Sequence, residues 1–342
     1  MSPSRRHFLQ LLSGLAASPL AAAEAAGLNI SAASKYVASH KGNALFIKQH
    51  GKVIHESYFN GAKRGEARRI YSGTKGFWGL AAMAAVEDGL ISLDEKVSAT
   101  LPSWNEGGKK DIVIEQLLDF SCGLERCLRL HQDGLKDRNQ MAVDRPLVGT
   151  PGRSFIYGPS PLQVFHEVLK KKLTGKWRTE SPTHYLERRV LRPLGLGSQR
   201  YLADAKGNPL LAAGFLMTPA QWARMGDLLL ANGRPVLKAS SMDALLEGSS
   251  ANAAYSFGFW NNRAAGKPGA REIDIEDLLE VDWDRQNWAQ VCIAKDVPQD
   301  LIACIGSGYQ RLYAIPSRGL VIVRQGVNAS YSDGQLLRTL LG

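Results

Sequence analysis

Cysteine is scarce in this sequence: Cys122, Cys127, Cys292 and Cys304 are the four in a chain of 342 residues. None of their spacings is Cys-x-x-Cys, which removes the basis for a thiol redox pair or a cysteine-rich zinc site. The four allow three pairings, and spacing does not choose among them. Cys122–Cys127 and Cys292–Cys304 are the short-loop options, and buried free thiols are the alternative. The seven histidines show neither His-x-His nor His-Glu-x-x-His, so no metal and no cofactor is expected. Gly-x-Ser-x-Gly is also missing, which excludes the nucleophile-elbow hydrolases as a sequence reading. Acids are fewer than bases, 32 against 42, leaving a formal net charge of +10. The Lys and Arg residues are scattered, with no basic helix interleaved with aromatics, so this balance does not describe a nucleic-acid surface. Beyond the N-terminal segment no run reaches the ~18 apolar residues that a membrane span requires.

What the sequence does contain begins with a leader. Ser4-Arg5-Arg6-His7-Phe8-Leu9 is a twin-arginine pattern, and a mild apolar run follows from Leu11 to Leu20. Ala21-Ala22-Ala23 or Ala23-Glu24-Ala25 would suit a signal peptidase. Residues 1–26 are therefore expected to be a signal peptide of the twin-arginine (Tat) type. The mature protein, residues 27–342, is expected in the periplasm or secreted, off the membrane once the leader is cleaved. Its expected partner is a small-molecule substrate. The sequence leaves the oligomeric state open.

Hydrophobic content of 44% suits a folded globular chain. Ala44–Lys48 and Val53–Tyr58 read as strands joined by the His50-Gly51 turn. The run Phe77–Val86 is apolar on nearly every face and predicts a buried helix stopped at Asp88-Gly89. Short helical stretches then dominate, including Ile114–Phe120, Leu162–Lys172 and Thr183–Arg192. Thr218-Pro219 caps a further helix. Leu301–Ile305, Leu312–Ile315 and Leu320–Arg324 read as strands, and Ser332–Leu341 as a closing helix. Strands at both ends around a helical middle predict an α/β fold. Its α/β part would cover about 40–95 and 212–342, with an inserted, mostly helical part at about 96–211.

Three segments carry candidate chemistry. Ser72-Gly73-Thr74-Lys75 opens the buried helix. Residues three apart on a helix share a face, so Lys75 should lie one turn from the Ser72 hydroxyl. A desolvated lysine loses its proton more readily and can then accept the serine proton. For an arbitrary Ser-x-x-Lys the plain alternative is a helix cap beside a surface lysine. Here the helix is too apolar to lie on a surface. Pro151-Gly152-Arg153-Ser154-Phe155-Ile156-Tyr157 offers a tyrosine that a nearby cation such as Lys75 could recruit as base or proton shuttle; without such a neighbour it would be a packed ring. Gly306-Ser307-Gly308-Tyr309-Gln310 is by itself a glycine-rich turn, although such turns let backbone N–H groups approach a ligand. The stretch Glu272 to Asp284 holds seven acids and reads as a solvated face.

Taken together these segments resemble the serine β-lactamase, D,D-peptidase and family VIII esterase superfamily. The match runs from about residue 40 to the C-terminus. It is carried by Ile70-Tyr71-Ser72-Gly73-Thr74-Lys75-Gly76-Phe77, Leu90–Val97, Leu117–Leu124, Pro151-Gly152 leading to Tyr157, Val190–Leu196, Ala213–Pro219 and Gly306-x-Gly308-x-Gln310. The resemblance implies a β-lactamase-like fold, an antiparallel sheet flanked by helices. It implies that Ser72 is acylated, that Lys75 deprotonates it and that Tyr157 passes the proton to the leaving group. Gly306, Ser307, Gly308 and Tyr309 would line the substrate, with the oxyanion between the N–H groups of Ser72 and Tyr309. Two departures matter. Pro159 stands where the tyrosine motif usually carries Asn, and Gly306 stands where a Lys-Thr-Gly would begin. The cation that grips a β-lactam or D-Ala carboxylate is thereby lost, unless Arg311 replaces it. The expected activity is acyl-enzyme hydrolysis of a small ester or amide. A D,D-peptidase, a weak β-lactamase, and a non-catalytic peptidoglycan- or protein-binding member are the alternatives.

Overall fold

A computed structural model describes residues 27–175, 179–327 and 330–342 of the chain. The leader at residues 1–26 lies outside the described residues. The architecture is α/β and is organised on a seven-stranded sheet. In chain order the strands are β1 (Gly42–Gln49), β2 (Lys52–Tyr58), β3 (Tyr255–Ser256), β4 (Phe259–Asn261), β5 (Ile302–Gly306), β6 (Gln310–Ile315) and β7 (Leu320–Gly326). Their spatial order is β2-β1-β7-β6-β5-β4-β3, and every neighbouring pair is antiparallel. The N-terminal hairpin thus joins strands from the C-terminal third, so the sheet is assembled from both ends of the sequence.

Strand β7 is buried at all its positions, and β6 likewise. A strand covered on both faces needs apolar side chains on both, which explains why Leu320–Val323 does not alternate. One face carries helices α1 (Ile30–Ser39) and α8 (Asp333–Leu341), which pack on each other while α1 also meets β1. Helix α6 (Pro219–Leu230) packs against β1, β6 and β7. Its start is the expected one: Thr218 accepts from the Gln221 N–H, and the Gln221 side chain returns the bond to Thr218.

Helix α2 (Lys75–Glu87) is buried from Lys75 through Ala85 and ends at Asp88, followed by Gly89 at φ +66°. The apolar run at 77–86 thus sits at the centre of the molecule. The described residues between 96 and 211 add no strand to the seven-stranded sheet. They contribute helices α3 (Ile114–Leu118), α4 (Arg138–Val143) and α5 (Ser160–Leu173), the helical stretch Pro182–Leu186 continued by a π-helical turn over Glu187–Leu191 where a helix was expected, and irregular connections. A fully buried guanidinium organises part of that region. Arg138 donates to the carbonyls of Leu130 (2.9 Å), Gln132 (3.0 Å) and Asn208 (3.0 Å). Those bonds satisfy carbonyls that the loop fold leaves without helix or sheet partners. All four cysteines are buried free thiols.

Candidate active site

Ser72 does not lie on α2, as expected, but in the 3₁₀ turn Tyr71–Thr74 just before it. The preceding residue, Tyr71, sits at φ +44°, a left-handed conformation that costs a non-glycine residue about 1–2 kcal/mol. The kink lifts Ser72 off the helix axis. A short two-stranded ladder holds the turn from behind, pairing Arg68 with Met217 and Arg69 with Leu216. Ile70 N–H donates to Phe215 O at 3.0 Å, and Phe215 N–H donates to Thr74 Oγ1 at 3.3 Å. The Ala213–Pro219 stretch therefore owes its place in the pattern to bracing the nucleophile turn.

Lys75, one turn on, is 2% exposed. Its Nζ lies 2.7 Å from Ser72 Oγ and 3.0 Å from the carbonyl of Ala212. No carboxylate among the described residues pairs with it. Burial alone pulls its amine from the ordinary lysine range down to about 7. A neutral amine is therefore well populated at physiological pH, facing a hydroxyl whose proton it can take.

Tyr157 joins them from the far side of the sequence. Ile156 N–H donates to Phe120 O at 3.0 Å, which docks the segment on the turn after α3. The ring then packs edge-on against Phe120 and Tyr255, with centroids 5.3 and 5.7 Å away, and lies 5.9 Å from Trp260. Lys75 Nζ stands 4.7 Å from the ring centroid, over the π-face. Burial pushes the phenol well above its ordinary value, with Ser72 offsetting this in part through a hydrogen bond. Tyr157 thus stays protonated near neutrality. It is equipped to donate a proton, and the role of base belongs to Lys75.

The Pro159 departure has a local cause. A Cβ on Gly158 would come within 2.5 Å of Arg126 Cβ and 2.8 Å of its carbonyl, so the chains cross there with no room for a side chain. Pro159 then caps α5. The segment is committed to a crossing and a helix start.

Gly306 ends β5 against the nucleophile turn, where an added Cβ would lie 2.0 Å from the Ile70 carbonyl. That contact brings Ser307 and Gly308 to the cavity over Ser72. The cavity measures about 360 Å³, and its walls include Ser72, Lys75, Tyr157, Ser307, Gly308 and Glu276. Tyr309 departs from expectation. Its N–H donates to Glu276 Oε2 at 3.1 Å, and the Gly308 N–H donates to Oε1 at 2.8 Å. The N–H expected to face the substrate oxyanion is thus taken by a carboxylate of the chain itself. Among the described residues, no hydrogen bond uses the Ser307 N–H.

Arg311 does not take the place of the missing lysine either. It is fully buried and binds Asp333 at 2.6 and 3.3 Å, Glu276 at 2.9 Å, and the Gly306 and Gln310 carbonyls at 3.0 and 3.1 Å. Glu276 lies on helix α7 (Ile275–Glu280), inside the acidic stretch read from sequence as a solvated face. No sequence signal separated it from its six acidic neighbours. Arg126 and His131 also line the cavity without having been singled out. Burial, together with the Lys75 and Arg138 charges, lowers His131 to about 4, so its ring is neutral there. The described residues contain no group of three His, Cys, Asp or Glu able to hold a metal ion. They also contain no helix long and apolar enough to cross a membrane.

The family model described as Beta-lactamase matches residues 31–324. No curated protein matches in sequence. Among solved structures, EstCE1, a hydrolase with promiscuous acyltransferase activity, shares 17% identity, covering 94% of this chain and all of its own, at a TM-score of 0.65. A family VIII carboxylesterase shares 15% over 91% of this chain and 95% of its own, at 0.64. A D-stereospecific amidohydrolase from Streptomyces shares 15% over 90% and 97%, at 0.61.

Proposed function

From the premise that the chain belongs to the beta-lactamase family and is a serine hydrolase, we propose that it hydrolyses a small ester or amide through an acyl-enzyme on Ser72. The observation that carries this reading is the buried, carboxylate-free Lys75 amine, 2.7 Å from Ser72 Oγ and lowered to about 7. Ser72 Oγ attacks the carbonyl carbon as its proton passes to Lys75 Nζ. The bond to the leaving group breaks when that group receives a proton, which the Tyr157 hydroxyl delivers and recovers from the Lys75 ammonium. Water then attacks the ester, its proton returning through Lys75. Ser307 N–H, lining the cavity with no acceptor among the described residues, is the candidate donor to the oxyanion alongside the Ser72 N–H.

The ester and amide classes follow the activities named for the structural neighbours. β-Lactam or D-Ala-terminated substrates fit less well, because Gly306 brings no cation and Arg311 is turned inward onto Asp333. Export through the twin-arginine leader is part of the same proposal and rests on sequence alone. Ser72→Ala should abolish both turnover of p-nitrophenyl esters and covalent labelling by a fluorophosphonate, with an unchanged melting curve. Labelling that persists at another serine would defeat the reading.

A further inference from the structure

Glu276 is the one acidic side chain that reaches from α7 onto the Gly308–Tyr309 turn, and three donors converge on it. Two are the backbone N–H groups of Gly308 and Tyr309, at 2.8 and 3.1 Å, and the third is Arg311 Nη1 at 2.9 Å. The bonds from Gly308 and Arg311 have the lengths of charge-assisted bonds to a carboxylate, and the one from Tyr309 is slightly longer. The carboxylate is not sealed away: Glu276 keeps 22% of its side-chain surface and lines the cavity that holds Ser72.

We propose that Glu276 is a specificity determinant, a carboxylate that the chain supplies to its own anion cradle, so that substrates bearing a carboxylate on that side are excluded and neutral or amine-bearing esters and amides are accepted. The inference rests on the reading above in one respect, that this cavity receives the substrate.

Charge bookkeeping around the cradle supports the direction. Arg311 is already matched by Asp333, at 2.6 Å, on its buried side. The Arg311–Asp333 pair is neutral, and Glu276 is set against the buried Arg324 guanidinium on the Tyr309 carbonyl, so the exposed Glu280 leaves this wall of the cavity negative. Glu280, four residues on, shares the helix face of Glu276, is exposed and lines the same cavity. It makes no ion pair or hydrogen bond among the described residues. An incoming carboxylate would have to displace bonds that are intramolecular, and would then meet Glu280. An ester carbonyl, an amide or an ammonium group meets no such obstacle, and an ammonium would be drawn to that wall. The positive side chain lining the cavity, Arg126, belongs to the segment that crosses Gly158.

The test compares two esters that differ by one carboxylate, p-nitrophenyl butyrate and mono-p-nitrophenyl succinate, on wild type, Glu276→Ala and Glu276→Gln. The ratio of kcat/KM for the succinate to that for the butyrate should rise about ten-fold or more in Glu276→Ala, and less in the isosteric Glu276→Gln, which keeps the bulk and loses the charge. A ratio that stays put in both folded variants overturns the proposal; should the alanine variant fail to fold, the glutamine variant decides. A second arm removes any dependence on turnover. In a Ser72→Ala background, benzylpenicillin binding followed by calorimetry should tighten when Glu276 is also replaced by Ala, and unchanged affinity would again overturn the proposal. Failure of wild type to hydrolyse either ester would count against the hydrolase reading, while the calorimetric arm would still decide the role of Glu276.

Discussion

Two of the cations that the chain buries near its cavity are treated in opposite ways. Lys75 meets a hydroxyl and a carbonyl, and no carboxylate. Arg311 meets Asp333 and Glu276 as well as two carbonyls. Removing an ion from water costs several kcal/mol in either place. At Lys75 no counter-charge offsets that cost, and the amine drops to about 7. At Arg311 burial also pulls downward, but the charges of Asp333 and Glu276 and the hydrogen bonds to Asp333 outweigh it and hold the guanidinium well above its ordinary value. Desolvation is common to both sites, and the counter-charge decides whether the group becomes a base or a fixed post. Of these two, the reactive cation is the one that the fold leaves without a counter-charge.

The largest effect should come from abolishing the unpartnered cation. Lys75→Met is expected to lower kcat/KM by roughly 10⁴–10⁶, the range seen when a base that works as a unit with its nucleophile is removed. The same change should stabilise the fold at low pH. With a folded value of about 7 against an ordinary 10.5, the unfolded chain binds more protons between these two pH values. Stability from this lysine is fully present above the ordinary value and is lost as pH falls toward 7. Below that the native state carries a buried, unpaired ammonium. Urea melts at pH 6 should therefore show Lys75→Met more stable than wild type by roughly 1–4 kcal/mol, and the gap should close at pH 10 and above. The wild-type acylation rate should rise with pH through about 7 as the amine becomes neutral, which stopped-flow traces from pH 5 to 9 would reveal.

Tyr157→Phe should have the next largest effect and would separate donor from base. If the phenol supplies the leaving group with a proton, amide hydrolysis should slow by roughly 10²–10⁴. p-Nitrophenyl esters, whose leaving group departs without a proton, should be slowed far less. Equal losses on both substrates would give Tyr157 a role in activating Ser72 instead.

The same contrast explains what could be read from the sequence. Ser72 and Lys75 were legible because their spacing and the apolar run behind them are local properties, and a desolvated lysine follows from the two together. Five strands of the sheet and helix α2 were legible for the same reason, since periodicity and caps are written within single segments, whereas the two short strands Tyr255–Ser256 and Phe259–Asn261 were not read from the sequence. The Ser72 turn was displaced because the left-handed Tyr71 and the ladder to Leu216–Met217 are tertiary facts. Tyr157 was a candidate from its segment alone, with a packed ring as the alternative, and the resemblance gave it a role; its raised phenol reflects a cage of rings contributed by residues 120, 255 and 260. Glu276 was invisible for a different reason. Seven acids in thirteen residues look alike in sequence, and only the packing of α7 on the Gly308–Tyr309 turn selects one of them. Arg311 was misjudged for the same reason, because its partner Asp333 begins the last helix and could not be paired with it from spacing.

The paired cation gives the prediction with the smallest expected effect on turnover. Asp333→Asn leaves the buried guanidinium with Glu276 as its one carboxylate, and puts an NH₂ donor in place of one of the two oxygens that face Arg311. The expected loss is about 3–5 kcal/mol of stability, read from denaturant midpoints. The acylation rate of the molecules that stay folded should change little, because Asp333 touches neither Ser72 nor Lys75. Adding Arg311→Met to Asp333→Asn should recover part of the loss, since the penalty belongs to the uncompensated charge more than to the missing carboxylate. If the double variant is instead less stable by the sum of the two single losses, the two residues act independently. Arg311 would then be held by the Gly306 and Gln310 carbonyls, and the contrast with Lys75 would reduce to hydrogen bonding.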